Sequence, residues 1–71
     1  SDVAEFVPSL DSKITRKVVR ELNLPKGMTI GGLVRNGEGM LVSGNTLIEA
    51  GDSVVVFCYN VDMKKVEKLF I

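Results

Sequence analysis

The fold of this 71-residue chain is indicated most clearly by the run Ser53-Val54-Val55-Val56-Phe57-Cys58-Tyr59. A short apolar run that is rich in β-branched residues and bounded by turn residues is typical of a strand buried on both faces. Ala50-Gly51-Asp52 supplies a turn before the run, and Asn60 follows it. We therefore expect residues 53–59 to form the central strand of a sheet.

Three further strands are predicted upstream, each a short apolar segment next to turn residues. Asn36-Gly37 is a strong hairpin signal, and we expect Glu38-Gly39 to lengthen the hairpin loop beyond two residues. The predicted strands are Val3–Val7, Met28–Arg35 and Met40–Val42.

Two helices are predicted from apolar residues that recur at helical spacing. Ile14, Val18 and Leu22 lie at i, i+4 and i+8, which predicts a helix from Ser12 to Leu22. A second helix begins at Asn60 or Asp62 and ends near the C-terminus. Its predicted apolar positions are Met63, Val66 and Phe70.

The predicted fold class is α+β. We expect a small, mostly antiparallel sheet of about four strands with two helices, in the order β-α-β-β-β-α. A domain of this size buries only ~60% of its unfolded surface. Small domains with a thin core often add a disulfide, a metal or a second copy, and the composition leaves self-association as the default expectation.

The composition disfavours several classes of function. The chain has 9 basic and 9 acidic residues, no His and one Cys. Without His it lacks the commonest general base and a major metal ligand, and one Cys allows neither an internal disulfide nor a zinc site. The balanced charge argues against a nucleic-acid partner. We therefore predict no catalytic residues and no metal site. We also predict a cytosolic location, because a lone thiol fits a reducing compartment.

Two stretches, Leu24–Gly37 and Gly44–Phe57, resemble the C-terminal domain of RCK proteins, the regulators of potassium conductance. The similarity is to the regulatory subunits of Trk-type bacterial potassium uptake systems. The shared pattern is a Leu-Pro turn, an apolar strand ending in Arg, a hairpin, a Gly-x-Thr turn, and a Gly-Asp before an apolar strand. The resemblance extends over Val3–Phe70 and departs at Ser43, where many relatives have Pro.

This resemblance implies that residues 1–71 are a single domain excised from a longer regulatory subunit. The implied domain is not an enzyme. It forms a homodimer, follows an N-terminal Rossmann nucleotide-binding domain, and controls cation transport through a membrane potassium transporter subunit at the inner face of the cell membrane. The domain itself has no cofactor, and some relatives bind cyclic di-AMP or another small ligand at the dimer interface. The alternatives are a similar domain of another cation exchanger or anion symporter, or a structural dimerisation module without a ligand.

The resemblance also suggests where a ligand binds. The matching positions lie in the turn after the first predicted helix, and Arg35 is a further candidate because a guanidinium suits phosphate. The alternative for Arg35 is an ion pair with Glu38. The remaining ligand candidates are Leu24, Pro25, Lys26, Met28 and Thr29.

Surface residues of the predicted elements are candidates for contact with a partner. The predicted dimer interface consists of Leu33, Val34, Met40 and Val42. A basic stripe at helical spacing is interpreted either as a solvated face or as a docking patch for an acidic partner. It consists of Lys13, Arg16, Lys17 and Arg20.

Asp52 is interpreted as a turn residue that hydrogen-bonds the backbone. The alternative is a cation ligand, although a single carboxylate is a poor metal site.

Overall fold

The computed structural model describes residues 2–71, which form a four-stranded antiparallel sheet covered on one side by turns and one short helix. The sheet order is β1-β4-β2-β3. Because β4 pairs with both β1 and β2, the predicted central position of the apolar run is confirmed. The strands are β1 (Asp2–Phe6), β2 (Met28–Arg35), β3 (Glu38–Leu41) and β4 (Ser53–Cys58).

Strand β4 is buried on one face only. Val54, Val56 and Cys58 point into the core, whereas Phe57 on the other face remains 47% exposed. The prediction that this strand is buried on both faces is therefore wrong for this chain. The apolar run gave no signal for this difference, because both faces of the strand carry apolar residues.

The core lies between the sheet and the segments that cover its inner face. Phe6 of β1 stacks on Phe70 with ring centroids 4.7 Å apart and an interplanar angle of 14°. The backbone amides of Ser9 and Ile14 donate to the carbonyls of Phe70 and Leu69 at 2.9 and 3.0 Å, which fixes the C-terminal segment against the core. The buried apolar residues are Ile14, Met28, Leu33, Ile48, Val54, Val56, Cys58, Val66 and Phe70.

The predicted helix from Ser12 to Leu22 is not formed. The segment contains two single 3-10 turns, Lys13–Thr15 and Val19–Glu21, and Val18 between them is extended with φ −61° and ψ 155°. The amides of Val19 and Arg20 donate to the carbonyls of Thr46 and Gly44 at 2.9 and 3.0 Å. Hydrogen bonds to a distant loop thus replace those that a continuous helix would make.

The second predicted helix is present as α1 (Met63–Glu67). The side chain of Asp62 accepts a hydrogen bond from the amide of Lys64 at 2.9 Å and caps its first turn. Val66 faces the core, and Phe70, beyond the end of the helix, is also buried. Residues 2–71 therefore contain one α-helix where two were expected.

The β2–β3 hairpin is tighter than predicted. Asn36 and Gly37 have φ values of 52° and 79°, and Arg35 pairs directly with Glu38. Two central residues with positive φ are typical of a type I′ turn. Strand β3 therefore begins at Glu38, and Val42 lies beyond its end.

Among residues 2–71, no helix has both the length and the apolar character that crossing a membrane requires.

Candidate interaction surfaces

The outer face of the sheet carries an apolar surface that no part of residues 2–71 covers. Alternation along the strands places its side chains opposite those of the core. Leu41 is 92% exposed and Val3 is 64% exposed, although both are large and apolar. Val3 pairs with Phe57, and Leu41 and Val55 flank Gly32 from its two sides. We call this surface the open face: Val3, Val7, Val34, Leu41, Val55 and Phe57.

Three glycines create a depression in the open face. Gly31 is the extra residue of a β-bulge between β2 and β4, and a Cβ at this position would overlap the ring of Phe57. Gly32 follows Gly31 on β2, Gly39 lies on the neighbouring strand β3, and both also lack side chains. The resulting glycine hollow, with Gly31, Gly32 and Gly39 as its floor, has a volume of about 390 Å³.

The open face has little charge. Among the strand residues that the structure describes, Glu5 alone places an ionisable side chain on it, and the hydroxyl of Ser53 donates to the Glu5 carboxylate. Glu5 lies on edge strand β1, at the side of the sheet away from β3. The part of the open face around the glycine hollow is therefore apolar.

The four residues predicted to form a dimer interface do not share one surface. Leu33 is only 2% exposed and belongs to the core, so its side chain offers no contact to a partner. Met40 is opposite Leu33 on the inner side of the sheet, and Val42 packs against the core. Val34 alone of the four lies on the open face.

Several residues of the open face, Leu41 and Phe57 among them, were not predicted from the sequence to contact a partner. The signal that could have identified them is the period of two along each strand. Once Val54, Val56 and Cys58 are assigned to the core, the same alternation places Phe57 on the opposite face.

The predicted ligand residues near the Leu-Pro turn are divided among three environments. Leu24, Pro25 and Lys26 line a cleft of about 460 Å³ between the turn and the start of α1. Met28 is buried in the core, and Thr29 is exposed opposite Phe57. We call the first region the turn cleft; its lining is completed by Asn23, Asn60, Val61, Asp62 and Lys65.

The turn cleft combines two ammonium groups with one carboxylate. Lys26 lies on the turn, whereas Asp62 and Lys65 come from the beginning of α1. The side-chain carboxylate of Asp62 is already bonded to the amide of Lys64. Lys26 and Lys65 are the cationic groups of the turn cleft.

Gly27 fixes the backbone beside this cleft. Its φ is +94°, and its carbonyl accepts a hydrogen bond from the amide of Tyr59 at 2.9 Å. A Cβ at Gly27 would overlap the carbonyl oxygen of Tyr59. Glycine is therefore required both by the backbone conformation and by the close approach of the two chain segments.

Arg35 joins the end of β2 to the turn before β4. Its Nε and Nη2 donate to Oδ1 and Oδ2 of Asp52 at 2.9 and 2.7 Å. Nη2 also donates to the carbonyl of Leu47 at 3.0 Å, and Nη1 is 3.4 Å from Oε2 of Glu49. The expected pair with Glu38 is absent, since Arg35 is held by Asp52 instead. Arg35 lies at the opposite end of β2 from the turn cleft, so the structure does not bring it together with Lys26.

Asp52 is a turn residue that hydrogen-bonds the backbone, as the sequence predicted. Its Oδ2 accepts a hydrogen bond from the backbone amide of Glu49 at 2.8 Å, and the side chain is buried. The hydrogen bonds from Arg35 hold the pKa of the Asp52 carboxyl below its ordinary value, against the opposing effect of burial. The carboxylate thus serves the packing of two loops.

The predicted basic stripe is interrupted because the helix that would carry it is not formed. Lys13, Arg16 and Lys17 line one shallow groove, whereas Arg20 packs against the backbone at Gly44. Arg16 donates from Nε and Nη2 to the carbonyl of Asp11 at 3.2 and 2.9 Å. The guanidinium of Arg16 therefore helps to close the preceding turn.

Comparison with known proteins gives a consistent group of relatives. A family model described as the TrkA-C domain matches residues 3–71. The chain is 46% identical over 59 residues to the Trk system potassium uptake protein TrkA of Azorhizobium caulinodans, covering 83% of this chain and 13% of the relative. It is 30% identical over 70 residues to a TrkA homolog of Methanosarcina mazei, covering 99% of this chain and 16% of the relative. The chain thus spans less than a fifth of these relatives.

A solved structure shares the fold. It is described as "Structure of RCK domain with cda" and superposes with a TM-score of 0.68 at 21% sequence identity. The match covers 99% of this chain and 94% of the solved chain. This similarity extends to the whole four-stranded arrangement.

Proposed function

Because the chain belongs to the TrkA-C domain family and is homologous to Trk system potassium uptake proteins, we propose that it is a regulatory domain of such a protein. In this proposal the domain pairs with a second copy of itself, next to an N-terminal Rossmann domain in the longer chain. The pair lies on the cytoplasmic side of the membrane and controls a potassium transporter subunit. The domain has no catalytic role of its own.

The mechanism that we propose is linkage. A ligand or neighbouring domain that binds one arrangement of the pair more tightly shifts the population towards that arrangement. The observation that carries the proposal is the match of almost the entire chain, residues 3–71, to the family. The apolar open face supports the pairing, because large exposed apolar patches mark interaction sites.

The test of this role uses the full-length protein in cells that lack its gene. Cells are supplied with the intact protein or with one from which residues 3–71 are deleted, and potassium uptake is followed over time. We expect the deletion to abolish the control of uptake while the transporter is still present in the membrane. Normal assembly and normal control without residues 3–71 would contradict the proposal.

We also propose that the turn cleft binds an anionic ligand, with Lys26 and Lys65 as its cationic groups. The support is their position on two sides of one cleft of about 460 Å³. The chain resembles RCK C-terminal domains, some of which bind cyclic di-AMP, and we therefore choose this nucleotide as the probe for calorimetric titration. We expect Lys26→Ala and Lys65→Ala to weaken binding at least tenfold.

Lys64→Ala is the matched control, because Lys64 is exposed on the same helix but does not line the cleft. Loss of binding in all three variants would indicate a general charge effect. No heat of binding with the unaltered chain would favour a structural pairing module without a ligand.

A further inference from the structure

We propose that the shallow groove lined by Lys13, Arg16 and Lys17 binds a short acidic segment of another protein, with an apolar side chain of that segment seated between the cations. This partner is neither a second copy of the chain nor the ligand of the turn cleft, so the proposal goes beyond the proposed function. We call this site the basic groove; its apolar lining consists of Leu22, Leu24 and Leu69.

The positive charge of the chain is concentrated in the layer that covers the core. Residues 12–26 and 61–71, which contain the two 3-10 turns and α1, hold eight of the nine basic residues and only three of the nine acidic residues. The sheet and its loops therefore carry the excess of acidic residues, although the chain as a whole has no net charge. Because a surface with an excess of one charge attracts partners of the opposite charge, the covering layer favours an acidic partner.

The three cations of the basic groove are free to bind an anion. All three residues are exposed, and among residues 2–71 none of them forms an ion pair with a carboxylate. Arg16 is also held in place, because its Nε and Nη2 donate to the carbonyl of Asp11. A cation whose position is already fixed loses little conformational entropy when it binds a carboxylate. Glu21 is the one acidic residue that lines the groove, so the groove keeps a net positive charge.

The interior of the basic groove is apolar. Leu22, Leu24 and Leu69 are half-buried and pack against the core, whereas the cations are exposed. The groove has a volume of about 360 Å³, which leaves room for an apolar side chain between the cations. A free phosphate would leave these leucines uncovered, and no aromatic ring lines the groove on which a nucleobase could stack. A peptide with an apolar residue between carboxylates matches both parts of the lining.

One wall of the groove also offers backbone groups. Leu22 is extended with φ −78° and ψ 139°, and the proline that follows Leu24 disfavours the helical conformation at that position. The amides of Asn23 and Leu24 donate none of the hydrogen bonds that the structure describes within residues 2–71. The carbonyls of an extended peptide can accept from such amides, as they do when a strand is added to the edge of a sheet.

Fluorescence anisotropy with a labelled peptide tests the proposal. The probe is a short peptide with one leucine between two pairs of glutamates, and it is titrated with the unaltered chain. We expect binding at ~20 mM salt that weakens at ~200 mM salt, because salt screens exposed charges. A peptide with serine in place of the leucine should bind about tenfold more weakly, since it leaves the apolar lining uncovered. A peptide with lysines in place of the glutamates should not bind.

Substitutions in the chain locate the binding site. The double variant Lys13→Gln and Lys17→Gln removes two cations from the groove, and we expect the affinity for the acidic peptide to fall about tenfold. Arg16 is left intact because it helps to close the preceding turn. The matched control is Lys64→Gln with Lys68→Gln, which removes the same charge from exposed positions outside the groove. This control should change the affinity by less than about twofold.

Four results would overturn the proposal. Equal losses in the two double variants would indicate a general effect of charge, and the absence of binding up to millimolar concentration would indicate a solvated face. Equal binding of the leucine and serine peptides would show that the apolar lining is not used. Binding of phosphatidylglycerol vesicles through Lys13 and Lys17, without binding of the peptide, would assign these cations to a membrane surface.

The test also distinguishes this proposal from the ligand proposed for the turn cleft. Lys26 lines the turn cleft and not the basic groove, so Lys26→Ala should bind the acidic peptide like the unaltered chain. Loss of peptide binding in Lys26→Ala alone would place the peptide in the turn cleft and overturn the assignment to the groove. Loss of cyclic di-AMP binding with full peptide binding would support two separate sites.

Discussion

Arg35 and Asp52 form the polar contact that fixes the hairpin to the turn before β4. They are separated by 17 positions, and their two hydrogen bonds measure 2.9 and 2.7 Å. From sequence alone each residue was matched with a local partner, Glu38 for Arg35 and the turn backbone for Asp52. The backbone contact of Asp52 was predictable because Asp commonly bonds the backbone of its own turn. The contact with Arg35 was not, since it depends on how two loops meet.

This pair predicts a pH dependence of stability. The hydrogen bonds from Arg35 lower the pKa of Asp52 from its ordinary value of 3.8. Because the pKa is lower in the folded chain, the stabilisation is fully present above the unfolded value and is lost as pH falls through the folded value. We expect the urea midpoint of unfolding to decline below about pH 4.

The variant Asp52→Asn removes the titrating group and should be less stable at neutral pH by about 1–3 kcal/mol. Its urea midpoint should change less between neutral and acidic pH than that of the unaltered chain. Glu67→Gln, which alters an exposed carboxylate on α1, is the control and should keep the original profile. Identical pH profiles for Asp52→Asn and the unaltered chain would show that the pair is not the source of the effect.

Gly27 and Gly51 allow two effects of a glycine substitution to be separated. Both have positive φ, +94° and +88°, but a Cβ at Gly27 overlaps the Tyr59 carbonyl, whereas one at Gly51 meets open space. A left-handed conformation costs an alanine about 1–2 kcal/mol. We expect Gly51→Ala to lose about this amount of unfolding free energy and Gly27→Ala to lose clearly more, as measured by urea denaturation. Equal losses would mean that the two backbone segments separate easily.

At the scale of elements, strands were predicted better than the first helix. The hairpin was predictable because Asn36-Gly37 favours the required φ values within the turn itself. The segment Ser12–Leu22 has helical spacing of apolar residues, yet the amides of Val19 and Arg20 bond to the loop at 44–46. Periodicity reports which residues face the core, but it does not report where the backbone hydrogen bonds are made.

Two proline substitutions distinguish the observed turns from a helix. Val18 is extended with φ −61°, which a proline can adopt, and its amide makes none of the backbone bonds that link turns and loops. The amide of Val19 does donate to Thr46, and Val19→Pro removes that bond. Urea denaturation should therefore show Val19→Pro to be less stable than Val18→Pro by about 1–3 kcal/mol.

If residues 12–22 formed a continuous helix, the two proline variants would give a different result. Either proline would then interrupt the helix interior at a cost of ~3 kcal/mol. Similar, large losses for both variants would therefore contradict the structure of this segment.

At the scale of the whole molecule, the chain places its core on one side of a sheet and leaves the other side apolar. The alternation along β4 separates Val54, Val56 and Cys58 from Phe57, but both faces are apolar, so the sequence did not indicate which face is covered. It did not show that the covering segments are confined to one face, because that follows from the non-local bonds of Ser9, Ile14 and Val19. This is why Leu33 was predicted to lie at an interface although it belongs to the core.

The uncovered apolar face of the sheet leads to a prediction about thermal stability. If the open faces of two copies pair, folding is coupled to association, because only folded chains form the dimer. The apparent melting temperature Tm then rises with protein concentration. For a domain of this size we expect about 3–6 °C for each tenfold increase in concentration above the dissociation constant. Leu41→Glu should flatten this dependence, and Leu10→Glu, at an exposed position outside the sheet, should preserve it. Scanning calorimetry at several concentrations measures the slope, and a Tm that stays constant for the unaltered chain would show that its stability does not depend on a second copy.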